Sequence, residues 1–386
     1  MTKAKIKHTR WPYFPKLLTY YGFEIEPTFH NPSHFGGNQY KISGYTDYNF
    51  LLDINSCLST RPSNDIIDRT QTIIMPFKIC PGRPWKKPVT NPKLEDCFEN
   101  TVKKIESKYN VVNLLWSGGI DSTAMVVSWL KHSKDSTTLR VMFSIDSIGE
   151  NSTFFCHLGG LKRIELIELG GNTFMEKKFD GCFVSGAAGD DITASVDESF
   201  FNHLGYQGIQ SLWHDFFWKK KPNKKFIEFC EKYFFLSGIK IRTVLEARWF
   251  FYAMCKYNYG SPLTLLSKTN TYESFFYNEI FENYFYHNII NLFGSDKWPD
   301  YKKIFKNYIF DYLPDYDYLN YKCKENSGNL LAFKDKEQFL NKKEYIFALN
   351  DGTLVNTDNL PFFSVYEYRK KYQNQFDYLF QNDLQI

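Results

Sequence analysis

Val111-Val112-Asn113-Leu114-Leu115-Trp116 runs into Ser117-Gly118-Gly119-Ile120-Asp121-Ser122, and then into Thr123–His132. The first six residues are nearly all apolar and of strand length. They lack the alternation of a one-sided strand, which suits a strand buried on both faces of a parallel sheet. In the last ten, Met125, Val126, Val127, Trp129 and Leu130 supply the core face of a helix. Between them, two glycines let the chain turn tightly and bring successive N–H groups close to an anion. The helix adds its unpaired N-terminal N–H groups and positive dipole end. Ser117 and Ser122 offer hydroxyl donors to phosphate oxygens. Asp121 is ill suited to face bare phosphate, so its expected role is to hold a Mg²⁺ that bridges phosphates. A plainer reading stands beside this one: a strand-to-helix turn with Asp121 as the helix N-cap. There is no GK[ST], so the loop is not a P-loop of the Walker type.

Working outward, Leu94, Cys97, Phe98, Val102 and Ile105 recur at helical spacing and predict a helix from Lys93 to near Tyr109. Leu139–Ile145, Arg163–Leu169 and Gly181–Val184 read as further strands. Strands alternating with helices predict an α/β layer, doubly wound around a mostly parallel sheet. Residues 200–341 are mostly helical by pattern, and a hairpin is expected at Asn350-Asp351-Gly352 between Tyr345–Leu349 and Thr353–Val355. Residues 1–90 read as irregular and strand-rich, closed by a turn-rich stretch with Pro81, Gly82, Pro84, Pro88 and Pro92. The expected division is a small N-terminal domain (1–92), an α/β core carrying the glycine loop (93–199), a helical part completing it (200–341), and a C-terminal hairpin and tail (342–386).

Composition excludes several functions. Over 386 residues the net charge of +4 is mild, with lysines and acids interspersed, which argues against a dedicated nucleic-acid binder. Aromatics reach 19%, crowded into the second half with Lys and Asn, a bias that an AT-rich genome also produces. Eight cysteines are scattered without a CxxC pair, so neither a zinc knuckle nor a redox dithiol is expected. Thr2–Arg10 is polar and basic with no apolar signal core, and no run of ~18 apolar residues occurs. A soluble protein of the reducing cytoplasm, with no membrane partner, is the expectation. Asn151-Ser152-Thr153 is then a chance match to a glycosylation sequon.

The six residues Ser117-Gly118-Gly119-Ile120-Asp121-Ser122 resemble the signature of the PP-loop ATP pyrophosphatases. A second loop, Val184-Ser185-Gly186-Ala187-Ala188-Gly189-Asp190-Asp191, resembles the SGEGxDE segment of asparagine synthetases. The plain alternative for Gly189-Asp190-Asp191 is a solvated turn. The resemblance implies a fold of the adenine-nucleotide alpha-hydrolase type. It also implies ATP and Mg²⁺ as cofactors, with Asp121 and Asp190 as metal carboxylates and Asp191 as an acidic neighbour. Ser117, Gly118, Gly119, Asp121, Ser122, Ser144 and Gly189 are the implied nucleotide-side residues. Lys93–Lys108 resembles the helix that precedes the loop in that family, and Phe143-Ser144-Ile145 lies where its second strand meets adenine. Asp300–Pro314 followed by Tyr321-Lys322-Cys323-Lys324-Glu325 resembles its KxxxxR…LP…K region, where a lysine neutralises the α-phosphate and departing pyrophosphate. Lys324 is the preferred match and Lys322 the alternative, and both are equally readable as surface lysines. Glu150 reads either as a substrate-binding residue or as a cap for the helix after it.

The chain also departs from the family. Thr2 stands where an amidotransferase domain has its nucleophilic cysteine, and residues 1–90 are too short for that domain. Nitrogen is therefore expected from ammonia, an amine or a separate glutaminase. Ala187 replaces the Glu of SGEGxDE, which puts aspartate as substrate in doubt. The expected activity is that of an AMP- and pyrophosphate-forming ligase. It would adenylate a carboxylate or amide oxygen of a small-molecule acceptor and then form an amide. Two alternatives remain: ATP-dependent modification of a nucleobase or transfer RNA, and an ATP-binding regulator that has lost turnover. A homodimer is compatible with either.

Overall fold

Leu115 and Ser185 lie side by side in register, each the last residue of a parallel strand, and this pairing sets where both loops emerge. In the computed structural model the described residues are 44–60, 65–66, 68–74, 79–81, 85–143, 145–168, 179–257 and 271–322. The backbone of short strands at 18–20, 23–25, 346–348 and 354–356 is also described. The main elements, in chain order, begin with α1 (Thr46–Cys57), α2 (Leu94–Glu106), β1 (Val111–Leu115), α3 (Ile120–His132) and β2 (Thr138–Phe143). Then come α4 (Ile145–Glu150), α5 (Ser152–Gly159), β3 (Ile164–Glu168), β4 (Cys182–Ser185) and the single turn α6 (Gly189–Ile192). A helical run follows: α7 (Glu198–Ile209), α8 (Trp213–Lys220), α9 (Lys224–Leu236) and α10 (Val244–Cys255). The last described elements of the main body are β5 (Thr271–Ser274), α11 (Glu279–Asn288), α12 (Lys303–Tyr312) and α13 (Tyr316–Tyr321).

The five strands form one all-parallel sheet in the order β5-β4-β1-β2-β3. From β1 the chain winds outward through β2 to β3, then crosses back to place β4 on the other side of β1. The direction of winding therefore reverses between β1 and β4, and in open α/β sheets the crevice beyond the strand ends at such a switch point is where ligands bind. The sequence reading holds for the α/β class, the parallel sheet and four of its strands. It missed β5, which lies inside a stretch read as mostly helical, because Thr271–Ser274 is short and only partly buried. The expected late hairpin is seen as Ile346–Ala348 paired antiparallel with Leu354–Asn356.

Burial explains why β1 carries no alternation. Val112, Asn113 and Leu114 are all fully buried in the middle of the sheet, with Asn113 Nδ2 donating to the Asp180 carbonyl at 2.8 Å. Val112 and Leu114 join the main core with Leu139, Val141, Ile164, Leu166 and Val184, while Met142 and Phe183 form a smaller cluster with Leu115, Ile167 and Tyr272. Period-two alternation thus sorts the strand residues onto two faces, both apolar. Phe98 of α2 stacks on Tyr308 of α12 at 4.0 Å between ring centroids and meets Phe276 and Phe281 edge-on. Much of the aromatic excess is therefore core.

Residues 46–58 belong to the same core. Tyr48, Leu51, Leu52, Ile54 and Leu58 are buried in one cluster with Phe217, Phe226 and Phe250 of the helical run. A helix therefore stands within the segment read as irregular and strand-rich. A buried ion pair ties the following stretch down: Arg69 Nη1 donates to Glu282 Oε1 of α11 at 2.8 Å and to the Ala253 carbonyl at 2.6 Å. Removing the arginine leaves Glu282 charged and buried without its partner, a loss of about 3–5 kcal/mol. Arg69→Ala is accordingly expected to lower the urea midpoint by that amount at unchanged slope. A loss below about 1 kcal/mol would mean that the pair is not desolvated.

Candidate functional site

The first loop is built by three neighbours. Gly118 has φ of +77°, the left-handed region that glycine enters without strain. A side chain there would also run into the Glu150 Cβ and the Ser147 carbonyl of α4. Ser147 Oγ donates to the Trp116 carbonyl at 2.8 Å, and Trp116 Nε1 donates to Thr123 Oγ1 at 3.0 Å. Within the loop, Ser122 Oγ accepts from the Ser117 N–H at 3.1 Å and lies 2.9 Å from Ser117 Oγ. The hydroxyls expected to meet phosphate thus hold the loop's shape, and α3 opens with Gly119 as its N-cap residue. Asp121 lies in the first turn of α3, beyond the cap position, so the capping alternative falls.

The second loop sits directly against the first. A Cβ on Gly189 would stand 2.6 Å from Asp121 Cγ, so only glycine lets α6 approach that carboxylate. Ser274 Oγ, at the end of β5, donates to the Ala187 carbonyl at 2.9 Å, and Ala187 N–H donates to Ser185 Oγ at 3.1 Å. Asp190 follows Gly189 in the first turn of α6.

Between the two carboxylates stands a lysine that sequence reasoning did not single out. Lys302 Nζ donates to Asp121 Oδ1 and Oδ2 at 2.7 and 2.6 Å and to Asp190 Oδ1 at 2.7 Å. Three acceptor oxygens match the three N–H donors of an ammonium. Only 1% of the Lys302 side chain is exposed. Burial alone would push its pKa down, but the two carboxylates outweigh burial and hold it above the usual lysine value. Lys302 lies inside Asp300–Pro314, a stretch already matched to the family's lysine-bearing region, and that match was the available signal. Nothing in local spacing separates Lys302 from Lys303 or Lys306.

The backbone around this cluster is unusual. Ala188, Ala194, Ser195 and Lys302 all have positive φ without being glycine, at +70°, +63°, +44° and +59°. Each such residue costs about 1–2 kcal/mol, so neighbours must hold it. Tyr301 Oη donates to the Thr193 carbonyl at 2.7 Å and accepts from the Val196 N–H at 3.2 Å. Arg248, fully buried in α10, donates from Nε to the Ala194 carbonyl and from Nη2 to the Ser195 carbonyl, both at 2.9 Å. Its guanidinium lies over the Phe200 ring, 4.1 Å from the centroid.

Glu150 and Lys322 form a second ion pair on the far side of Gly118. Lys322 Nζ contacts Glu150 Oε2 and donates to the Glu150 carbonyl at 3.2 Å, and only 1% of the lysine side chain is exposed. Lys322 is therefore not a surface lysine. The cap of α5 is Asn151, whose side chain accepts from the Phe154 N–H at 3.0 Å, so Glu150 is not the cap. The Tyr318 hydroxyl is buried near Thr123, Glu150 and Asp121, and burial raises its pKa. Asp191 follows Asp190 in α6. Ser144 and Lys324 lie outside the described residues.

The donor chemistry here suits one hard divalent ion. Two carboxylates reach a single cation; no group of three or more His, Cys, Asp or Glu residues able to hold a metal occurs among the described residues, here included. Mg²⁺ is often bound in this way, by one or two carboxylates with phosphate oxygens and water completing the octahedron. No protein-family model matches the chain, and no curated protein matches it.

Close contact between the loops has a measurable consequence. Gly189→Ala forces apart Asp121 and α6 and is expected to cost about 1–3 kcal/mol in unfolding free energy. A variant as stable as the wild type, by urea or thermal unfolding, would mean that the two loops do not touch.

Proposed function

We propose that this chain is an ATP-using ligase of the asparagine-synthetase-like PP-loop type, with the adenine-nucleotide alpha-hydrolase fold. It would adenylate a carboxylate or amide oxygen of a small acceptor and then form an amide with ammonia or an amine. The observation that carries this reading is the convergence of Asp121 and Asp190 on one cation at the switch point of the sheet. The first-turn N–H groups of α3 face the same crevice as an anion site. A thiol-based route has less support: burial pushes the Cys97, Cys156 and Cys182 thiols up to about 12, which withholds the thiolate at neutral pH.

In this mechanism ATP lies with its phosphates at Ser117–Ser122. Asp121 and Asp190 would hold Mg²⁺, which when bound neutralises charge on the β- and γ-phosphates and on the departing pyrophosphate. The acceptor oxygen attacks the α-phosphorus, and the bond from that phosphorus to pyrophosphate breaks. Loop N–H groups and the Lys302 ammonium take up the developing charge. An amine nitrogen then attacks the activated carbon, and AMP leaves with the acceptor oxygen. Glu150, held by Lys322 across Gly118, borders the acceptor side. Lys324 remains the pyrophosphate-side candidate by resemblance.

A second reading has its own observation. The turn from α8 to α9 places Lys219, Lys220, Lys221, Lys224 and Lys225 within seven residues beside Trp218, which is 47% exposed. Those lysines are gathered, against the reading of charge as interspersed, and a basic turn with an exposed aromatic suits a nucleic-acid acceptor.

Pyrophosphate release, measured with small carboxylates plus ammonia and separately with transfer RNA, distinguishes the two. Asp121→Asn is expected to lower release at least ~100-fold at saturating Mg²⁺ while the fold persists. Turnover within ~3-fold of wild type, about 0.7 kcal/mol, would remove Asp121 from the chemistry. Tight ATP binding without release for any acceptor would identify a regulator instead.

A further inference from the structure

We propose that Lys302 is a stand-in cation. Before nucleotide binds, its ammonium takes the place between Asp121 and Asp190 that a metal ion takes with ATP, so free divalent metal is kept out and enters only together with the nucleotide. This rests on the nucleotide reading above for its second half alone.

The geometry is that of a small cation site with an amine in it. Lys302 Nζ makes three contacts of 2.6–2.7 Å to two carboxylates that come from different strand ends. Tyr301, stacked on Trp298 with 5.1 Å between centroids and hydrogen-bonded to Thr193, holds the backbone beside Lys302. The lysine stem remains the movable part, because an ammonium on four methylenes can shift several ångströms without moving the main chain. A metal ion arriving alone must displace a buried ammonium and leave it without a partner, which is unfavourable. Phosphates arriving at the N-terminus of α3 change that balance. They give Lys302 new anionic partners and give the metal additional oxygens, so nucleotide and metal raise each other's affinity.

The test uses Mn²⁺ as a spectroscopic substitute and the full chain throughout. Electron paramagnetic resonance titration of the wild type is expected to show weak Mn²⁺ binding alone, and binding at least ~10-fold tighter with an ATP analogue bridged by methylene between the α- and β-phosphates. Lys302→Met is expected to bind Mn²⁺ alone at least ~10-fold more tightly than wild type. Its melting temperature should also rise with Mn²⁺ by about 3 °C or more, which that of the wild type does not. Lys302→Arg keeps a cation pinned on both carboxylates, so it is expected to fold and to stay insensitive to Mn²⁺ alone. Should Lys302→Met fold only when Mn²⁺ is supplied, the stand-in role is supported; failure to fold in either condition leaves the decision to the wild type and Lys302→Arg. Equal Mn²⁺ affinity in wild type and Lys302→Met, or tight binding of Mn²⁺ alone by wild type or Lys302→Arg, overturns the proposal. If the nucleotide-free results come out as expected but the analogue changes nothing, Lys302 is a stand-in and the ATP reading of the site fails.

Discussion

Two carboxylates delivered to one place by the ends of adjacent strands cannot stay there without a positive charge between them. Asp121 follows β1 and Asp190 follows β4, and register places the last residues of those strands opposite each other. Gly189 removes the steric barrier to their approach, and Lys302 removes the electrostatic one. Much of the rest of the molecule serves to bring that lysine in. The chain travels through the helical run, returns as β5 beside β4, and reaches the crevice at Lys302, directly before α12, which packs against α3.

Holding the cluster requires backbone that most residues avoid. Four non-glycine residues with positive φ surround Asp190 and include Lys302 itself, and strain of this kind persists only where the surroundings over-determine it. Arg248 and Tyr301 do this by donating to carbonyls of the turn after α6. Arg248 also donates to the Leu58 carbonyl. The segment after α1 is thus tied to the turn that positions Asp190, and residues 46–58 act as part of the scaffold behind the site rather than as an appendage to it.

Two ion pairs flank the first loop, and they differ in kind. Lys302 spans two acids that face the proposed phosphate side, whereas Lys322 pairs with Glu150, whose Cβ lies close to Gly118. The Tyr318 hydroxyl lies buried within electrostatic reach of one acid of each pair, Asp121 and Glu150. Polar groups thus meet the first loop at both Asp121 and Gly118.

The residues that could be read directly are those whose role is local. An apolar run without alternation means a strand covered on both faces, and glycines followed by a helix mean a turn exposing N–H groups; neither inference needs a distant partner. β1, α3 and the Ser117–Ser122 loop were legible for that reason, whereas Asp190 was singled out only by resemblance, since Gly189-Asp190-Asp191 by itself reads as a solvated turn. β5 escaped because four partly buried residues carry too little hydrophobic pattern to stand out from helical neighbours. Lys302 escaped for a stronger reason. A lysine becomes a buried counter-charge only when two acids, 181 and 112 residues away in the chain, are folded onto it. Sequence alone determined the parallel sheet and the tight glycine turn into α3, because short-range sterics and burial dictate both. Only the tertiary structure decided which cation the carboxylates share, because that choice is a sum of long-range electrostatic and packing contacts that no window of sequence contains.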